Sequence, residues 1–243
     1  MKARTLAGLG AAGAAGLAFY GGQVPTAQIF GPTICRGAPG RKLISLTYDD
    51  GPNPAYTPGL MELLERYEAK ATFFLIGGWA EREPTLVREL HAAGHAIGNH
   101  TFTHPTMPLL TMEQVREELR RCRGAVEGAG IEFSEVGGEA LMRPPYGRRR
   151  PATLRTLHEE GYVPVTWSIT AYDWRRTATV EKLTRRCARA KDGDVILLHD
   201  GSNEEPTADR SRSVAATEAT LERFTAEGYR FVTIPEMAGE ALA

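Results

Sequence analysis

The sequence predicts an α/β fold: a distorted (β/α) barrel of about seven parallel strands forming a single domain. Three observations point to the class. Short apolar runs alternate with segments of helical spacing from Leu43 onward. Several helical segments stop at a glycine that opens into the next apolar run. No repeat, composition shift or linker divides the region 41–243. An open doubly wound sheet fits the same alternation, but no G-x-G-x-x-G follows a strand, so a dinucleotide site is not indicated.

Taken in order, the expected strands are Leu43–Thr47, Ala71–Ile76, His95–Gly98, Leu141–Arg143, Val163–Ser168, Asp194–Leu198 and Arg230–Ile234. The expected helices lie between them. Pro58–Tyr67 places Leu60, Leu63 and Leu64 on one face, and Pro84–Ala93 does the same with Leu86, Val87 and Leu90. Thr111–Glu127 opens with Thr111 and Gln114, the spacing of a capping box. Pro151–Glu160, Thr179–Ala190 and Val214–Glu227 complete the set, and Gly94, Gly161 and Gly228 read as helix stops.

The chain has 243 residues, 42% hydrophobic and 24% charged, with a net charge of −1. That suits one globular domain and gives no field that favours nucleic acid. Arg148, Arg149 and Arg150 form a local basic run of the kind that usually marks a solvated loop. Cys35, Cys122 and Cys187 make neither a disulfide framework nor a C-x-x-C metal pair. The N-terminus differs from the rest. Lys2 and Arg4 precede an uncharged Ala/Gly/Leu-rich stretch from Thr5 to Gly22, the layout of a secretory signal or short membrane anchor. Residues 1–40 are therefore expected to be that segment plus a linker, and the protein to be exported, with membrane association possible through this segment.

Function in parallel α/β folds gathers at the C-terminal ends of strands, and the polar clusters fall there. They are Thr47-Tyr48-Asp49-Asp50-Gly51-Pro52, Asn99-His100-Thr101-Phe102-Thr103-His104-Pro105, Arg143-Pro144-Pro145-Tyr146-Gly147, Tyr172-Asp173-Trp174 and His199-Asp200. His100 and His104 can reach one ion from a single tight loop, and a carboxylate from the adjacent Asp49–Asp50 pair would make three ligands with open positions, as in catalytic rather than structural zinc sites. The second carboxylate would then be left for proton transfer. His91, His95 and His158 read as structural. Trp79, Tyr146, Tyr172 and Trp174 could stack on sugar faces, and the polar loop 201–213 is placed to border a substrate groove.

These segments resemble the five motifs of the polysaccharide deacetylases, carbohydrate esterase family 4: T-Y-D-D-G-P, H-T-x-x-H-P, R-P-P-Y-G, Y-D-W and L-L-H-D, in that order. The resemblance spans roughly residues 43–234. It implies a distorted (β/α) barrel and a divalent metal, most often zinc, with cobalt or nickel sometimes accepted, held by Asp50, His100 and His104. It implies Asp49 as general base toward the attacking water and His199 as general acid toward the departing amine. Arg143 resembles the arginine that holds the base, and Asp173 the carboxylate that holds the catalytic histidine. The Tyr146 N–H would serve the oxyanion, and Leu197 or Trp174 would line the pocket for the acetyl methyl. One position departs: many members carry an Asp where this chain has Thr170.

The expected activity is therefore removal of acetyl groups from an N-acetylglucosamine-containing glycan, chitin-like or peptidoglycan. An O-acetyl xylan esterase would use the same machinery. A binding protein without catalysis would not need a base–acid pair, and the H-E-x-x-H signature of metallopeptidases is absent.

Overall fold

A computed structural model of the chain describes residues 16–17 and 19–242, the side chains of 240–242 excepted. Lys2, Arg4 and most of the 5–22 stretch lie outside the described residues. No described helix is long and apolar enough to cross a membrane.

The strands are β1 (Leu43–Gly51), β2 (Ala71–Leu75), β3 (Ala96–Asn99), β4 (Glu135–Val136), β5 (Glu139–Met142), β6 (Tyr162–Pro164), β7 (Ile169–Thr170), β8 (Val195–His199) and β9 (Arg230–Phe231). The helices are α1 (Thr57–Arg66), α2 (Gly77–Ala80), α3 (Pro84–Ala92), α4 (Met112–Gly128), α5 (Pro151–Glu159), α6 (Val180–Cys187), α7 (Ser211–Ala226) and α8 (Ile234–Leu242). The sheet runs β4-β5-β3-β2-β1-β8-β7, with β6 on β5 and β9 on β1. Every pairing is parallel except β4–β5. This is the predicted curled parallel sheet, and the expected helices are all present.

Besides the added strand β4 and the short helix α2, three segments differ from expectation. Of the run expected as one strand over 163–168, only Val163 and Pro164 are strand, in β6; Val165 to Ser168 make other contacts, and β7 begins beyond them at Ile169. The last expected strand is only the pair Arg230–Phe231, because helix α8 begins at Ile234. The third difference is residues 23–36, grouped with the linker by composition, which pack on the barrel. Ile34 forms a parallel bridge to Val165 and Arg36 an antiparallel bridge to Asp194. The Ile34 N–H donates to Pro164 and the Ile34 carbonyl accepts from the Thr166 N–H. This strap thus fills the gap where the β6 edge faces β8.

Local chemistry explains the elements. The apolar faces of α1, α3 and α4 are buried at Leu60, Leu63 and Leu64, at Leu86, Val87 and Leu90, and at Val115, Leu119, Cys122 and Val126. The Thr111–Gln114 capping box forms in both directions. Gly94, Gly161 and Gly228 stop their helices at φ 79°, 75° and 78°, where a Cβ would be strained.

Strand periodicity sorts the core into two faces. Ile44, Leu46 and Tyr48 of β1 and Ile196 and Leu198 of β8 pack with the helices. Leu43, Phe74, Leu141, Val195 and Leu197 form a second cluster on the opposite face, inside the curl. Continuing that second parity to the strand ends brings Asp49, Arg143 and His199 to the inner rim. Register pairs Asp49 with His199 directly, and a shift between Asp49 and Gly51 marks a bulge at Asp50.

Gly98 tests how tightly this inner face is filled. A Cβ there would lie 2.6 Å from two ring atoms of Phe74, which is fully buried. Gly98→Ala is expected to destabilise the fold by about 1–3 kcal/mol, read as a lower urea midpoint with an unchanged slope.

Candidate active site

Each of the five motif segments leaves the C-terminal end of a strand, and their backbones turn sharply. Asp50, Thr101, His104, Tyr146 and Tyr172 all have positive φ, between 59° and 70°. Non-glycine residues adopt that region at a cost, and such residues cluster where side chains must be aimed.

Asp50, His100 and His104 are buried, and one ligand atom from each lies within 4.8 Å of the others. His100 Nδ1 is 2.7 Å from the Arg143 carbonyl. A carbonyl only accepts, so Nδ1 carries the proton and Nε2 presents its lone pair. That Nε2 faces Asp50 Oδ1 at 3.4 Å, and His104 Nε2 faces the same oxygen at 3.3 Å. Asp50 Oδ1 is buried without a hydrogen-bond partner. An unprotonated nitrogen and a carboxylate oxygen held this close repel unless a cation joins them. Burial, with His100 nearby, pushes His104 down to about 3, so it is neutral. Burial alone would raise the Asp50 carboxyl, but the positive charge of the nearby His199 imidazolium helps hold it below the ordinary carboxylate range. Neutral imidazoles and an ionised carboxylate are the states a divalent cation requires. These residues fit one.

Asp49 points the other way. Its Oδ1 accepts from Arg143 at 2.7 Å, while its Oδ2 lies 3.7 Å from His100 Nε2. The fully buried Arg143 also donates to Thr47 Oγ1 at 2.8 Å and to the Thr166 carbonyl at 3.1 Å. Its guanidinium lies over Phe74, 4.1 Å from the ring centroid.

On β8, His199 Nδ1 donates to Asp173 Oδ1 at 2.8 Å. Asp173 Oδ2 accepts from the His199 N–H and from Ser213 Oγ, both at 2.7 Å. Asp173 thereby fixes both ring and backbone of His199 and directs Nε2 away from itself. Burial disfavours the imidazolium, but Asp173 first, then Asp50 and Asp49, outweigh it and push His199 up to about 9. Trp174 packs edge-on against His199 at 5.0 Å and Tyr146 against His104 at 4.7 Å.

One cavity of about 510 Å³ gathers these groups. Asp49, Asp50, His100, His104, Tyr146, Trp174, Leu197 and His199 line it, as do Thr170 and Tyr172. Arg143 and Asp173 stand behind the lining residues they hold. Trp79 is not in the wall; its indole N–H donates to the Ser202 carbonyl and steadies the 201–213 loop, of which Asn203 lines the cavity. His95 is structural as expected: buried, it accepts from the Ala71 N–H, and burial lowers it to about 4.

Several contributors were not legible in the sequence. Ser213 sits in the first turn of α7 without any motif around it. Trp167, Ser168, Gln23, Pro25 and Thr26 also line the cavity. The last three belong to the strap, and Arg149 explains how they are held. Its guanidinium, 2% exposed, donates to the carbonyls of Val24, Pro25, Ala27 and Gly147. Thr166 Oγ1 adds a bond to Pro25 at 2.8 Å. The solvated loop expected for the 148–150 run is therefore corrected at Arg149, which is a buried clamp. Carbonyls turned inward by the strap need donors, and a guanidinium supplies several at once.

Arg149→Ala should leave those carbonyls unsatisfied, at a local cost on the order of 3 kcal/mol. Faster amide hydrogen exchange over the strap than over β1, in the variant relative to the parent, is the expected result.

Comparison with known proteins agrees with this geometry. The family model described as polysaccharide deacetylase matches residues 36–165. A peptidoglycan-N-acetylglucosamine deacetylase of Bacillus cereus is 38% identical over 81% of this chain and 88% of its own length. A chitooligosaccharide deacetylase of Sinorhizobium fredii is 32% identical over 84% of this chain and 95% of its own. A family 4 carbohydrate esterase from Streptomyces lividans, solved in complex with acetate, superposes with a TM-score of 0.70 at 30% identity, covering 82% of this chain and 96% of that one. In fold, motif order and the side chains brought to one cavity, this chain belongs to the polysaccharide deacetylase family.

Proposed function

We propose that the protein is a metal-dependent hydrolase that removes the N-acetyl group from N-acetylglucosamine units of an oligo- or polysaccharide, chitin-like or peptidoglycan. The observation that carries this is the register pairing of Asp49 with His199 at the rim of a cavity that also holds the buried Asp50–His100–His104 triad. A binding site alone needs neither a base nor an acid. The named activities of the Bacillus cereus and Sinorhizobium fredii relatives support N-deacetylation over xylan O-deacetylation.

Asp50, His100 and His104 would hold the ion; two imidazoles and a carboxylate favour zinc, with cobalt or nickel as substitutes. A divalent cation held there would supply Lewis-acid polarisation of the amide carbonyl and a more acidic water. Asp49, held by Arg143, takes a proton from the attacking water. The Tyr146 N–H donates to the oxygen on which negative charge develops, a contribution of roughly 3–4 kcal/mol for a well-placed donor. His199, held by Asp173, gives its Nε2 proton to the departing nitrogen. Leu197 and Trp174 flank the acetyl methyl.

Export is proposed from Lys2, Arg4 and the uncharged stretch 5–22. Cell fractionation, with protease accessibility on intact cells, tests it; protein found only in the cytosol rejects it.

His100→Ala should lower bound metal, measured by elemental analysis, and reduce acetate release by roughly 100-fold or more. Full activity in that variant rejects the proposal. Acetate release from chitin oligomers, peptidoglycan and acetylxylan, each with and without chelator, separates the substrates; release from acetylxylan alone would replace N-deacetylation by O-deacetylation.

The pH profile follows from His199. The acid form exists below its pKa, so kcat should fall as pH rises through it. Asp173 raises that pKa to about 9, and a cation that neutralises Asp50 draws it lower. Asp173→Asn removes the main stabilising charge, so the alkaline limb of kcat should move to lower pH, whereas a merely structural role for Asp173 would scale the profile without moving it.

A further inference from the structure

Tyr172 is a wall shared by two depressions. On one side is the catalytic cavity; on the other is a second one of about 420 Å³, between the 171–178 loop and α6. Arg175 from the loop, Lys182, Arg185 and Arg186 from α6 and Arg189 from the turn just after it line it, and no carboxylate does. The chain as a whole carries a net charge of −1, so this is a local concentration of one sign.

A basic run on a helix face is ordinarily a solvated surface. Four observations separate this depression from one. It is concave and built from two elements. Among the described residues no carboxylate lies within ion-pair distance of Arg175, Arg185, Arg186 or Arg189, while Glu181, the one acid on α6, is turned to the Thr179 cap. Arg186 Nε is buried without any acceptor. Finally, Arg175 and Arg186 both lie against the Tyr172 ring, 4.1 and 4.0 Å from its centroid. Stacking on the ring holds two guanidinium planes in place and leaves their N–H edges for a ligand.

We propose that this depression is a subsite for a carboxylate-bearing substituent of the glycan, bound beside the sugar whose acetyl group is removed. It rests on the glycan deacetylase assignment and narrows it to acidic polymers. A planar guanidinium fork matches a carboxylate in two-point geometry, and several forks around one hollow relieve their mutual repulsion when an anion enters. Tyr172 makes the two depressions neighbours, so a polymer that fills both is held by its acid group while its acetamide meets the metal triad.

The test uses the full protein and a double charge reversal at two exposed positions, Arg185→Glu with Arg189→Glu. Binding is measured by calorimetry, independently of turnover, with three probes (a neutral chitooligosaccharide, a peptidoglycan oligomer with free peptide-stem carboxylates, and the same oligomer amidated), and a phosphorylated oligomer is run beside them as a competing anion. The parent should bind the free-acid oligomer more tightly than the amidated one. The variant should lose roughly tenfold in affinity for the free-acid oligomer only, and added salt should shrink the difference. On activity, KM for that oligomer should rise while kcat/KM for the neutral oligosaccharide stays within about twofold. Equal losses for all three probes, or no loss for the free-acid oligomer, overturn the subsite. Tight, variant-sensitive binding of a phosphorylated oligomer in place of the carboxylated one overturns the carboxylate assignment. Absence of acetate release from every probe counts against the deacetylase reading alone, because the binding comparison stands without turnover.

Discussion

The site depends on one buried cation. A guanidinium with no exposed surface must have every charge and donor answered from within the protein, or it destabilises the fold. Arg143 answers its charge and both terminal nitrogens with Asp49, Thr47 and the Thr166 carbonyl and stacks on Phe74, leaving only Nε without an acceptor. Those partners come from β1, β2 and the segment between β6 and β7, so satisfying one side chain fixes the relative position of three parts of the rim. The backbone of the same residue holds His100 by its carbonyl. Asp49 and His100, the proposed base and a proposed metal ligand, are thus positioned from a single residue, one through its side chain and one through its main chain.

His199 is governed by the same logic with the sign reversed. Asp173 is a buried carboxylate, and its three contacts come from the His199 ring, the His199 backbone and Ser213 on α7. An acceptor satisfied on both oxygens cannot swing, so the histidine it orients cannot either. The metal-ligand side is different. Asp50 Oδ1 and His104 Nδ1 have no protein partner, and a cation would answer the first of these. Close packing holds Asp50 in its strained turn: a Cβ on Gly51 would meet Asp200, and one on Gly201 would meet the Asp50 carbonyl. Only glycine lets the β8 loop pass that near to the bulge.

The strap at 23–36 changes what counts as the catalytic unit. The parallel strands alone leave the β6 edge facing β8 across a gap, and Ile34 and Arg36 bridge it. The residues just before them form part of the cavity wall. Arg149 ties that wall to the Pro145–Gly147 turn beside Tyr146. The cavity wall is therefore assembled from the strap as well as from the strand ends.

Much of this was written locally. The order of strands and helices, the capping box at Thr111, the glycine stops and the strand-end motifs are carried by periodicity and by residue chemistry over short spans. Parity along β1, β5 and β8 even dictates that Asp49, Arg143 and His199 share the inner face, since alternation is a property of the strand itself. The sequence by itself thus determined the fold class and the candidate metal ligands, and its family resemblance pointed to the proposed base–acid pair. Tertiary structure alone decided the rest. Ser213, Thr166 and Thr26 carry no local signature, because what each does is set by a neighbour far away in the chain. Arg149 looked like a solvated charge because composition records a side chain's polarity but not the carbonyls a distant segment turns toward it.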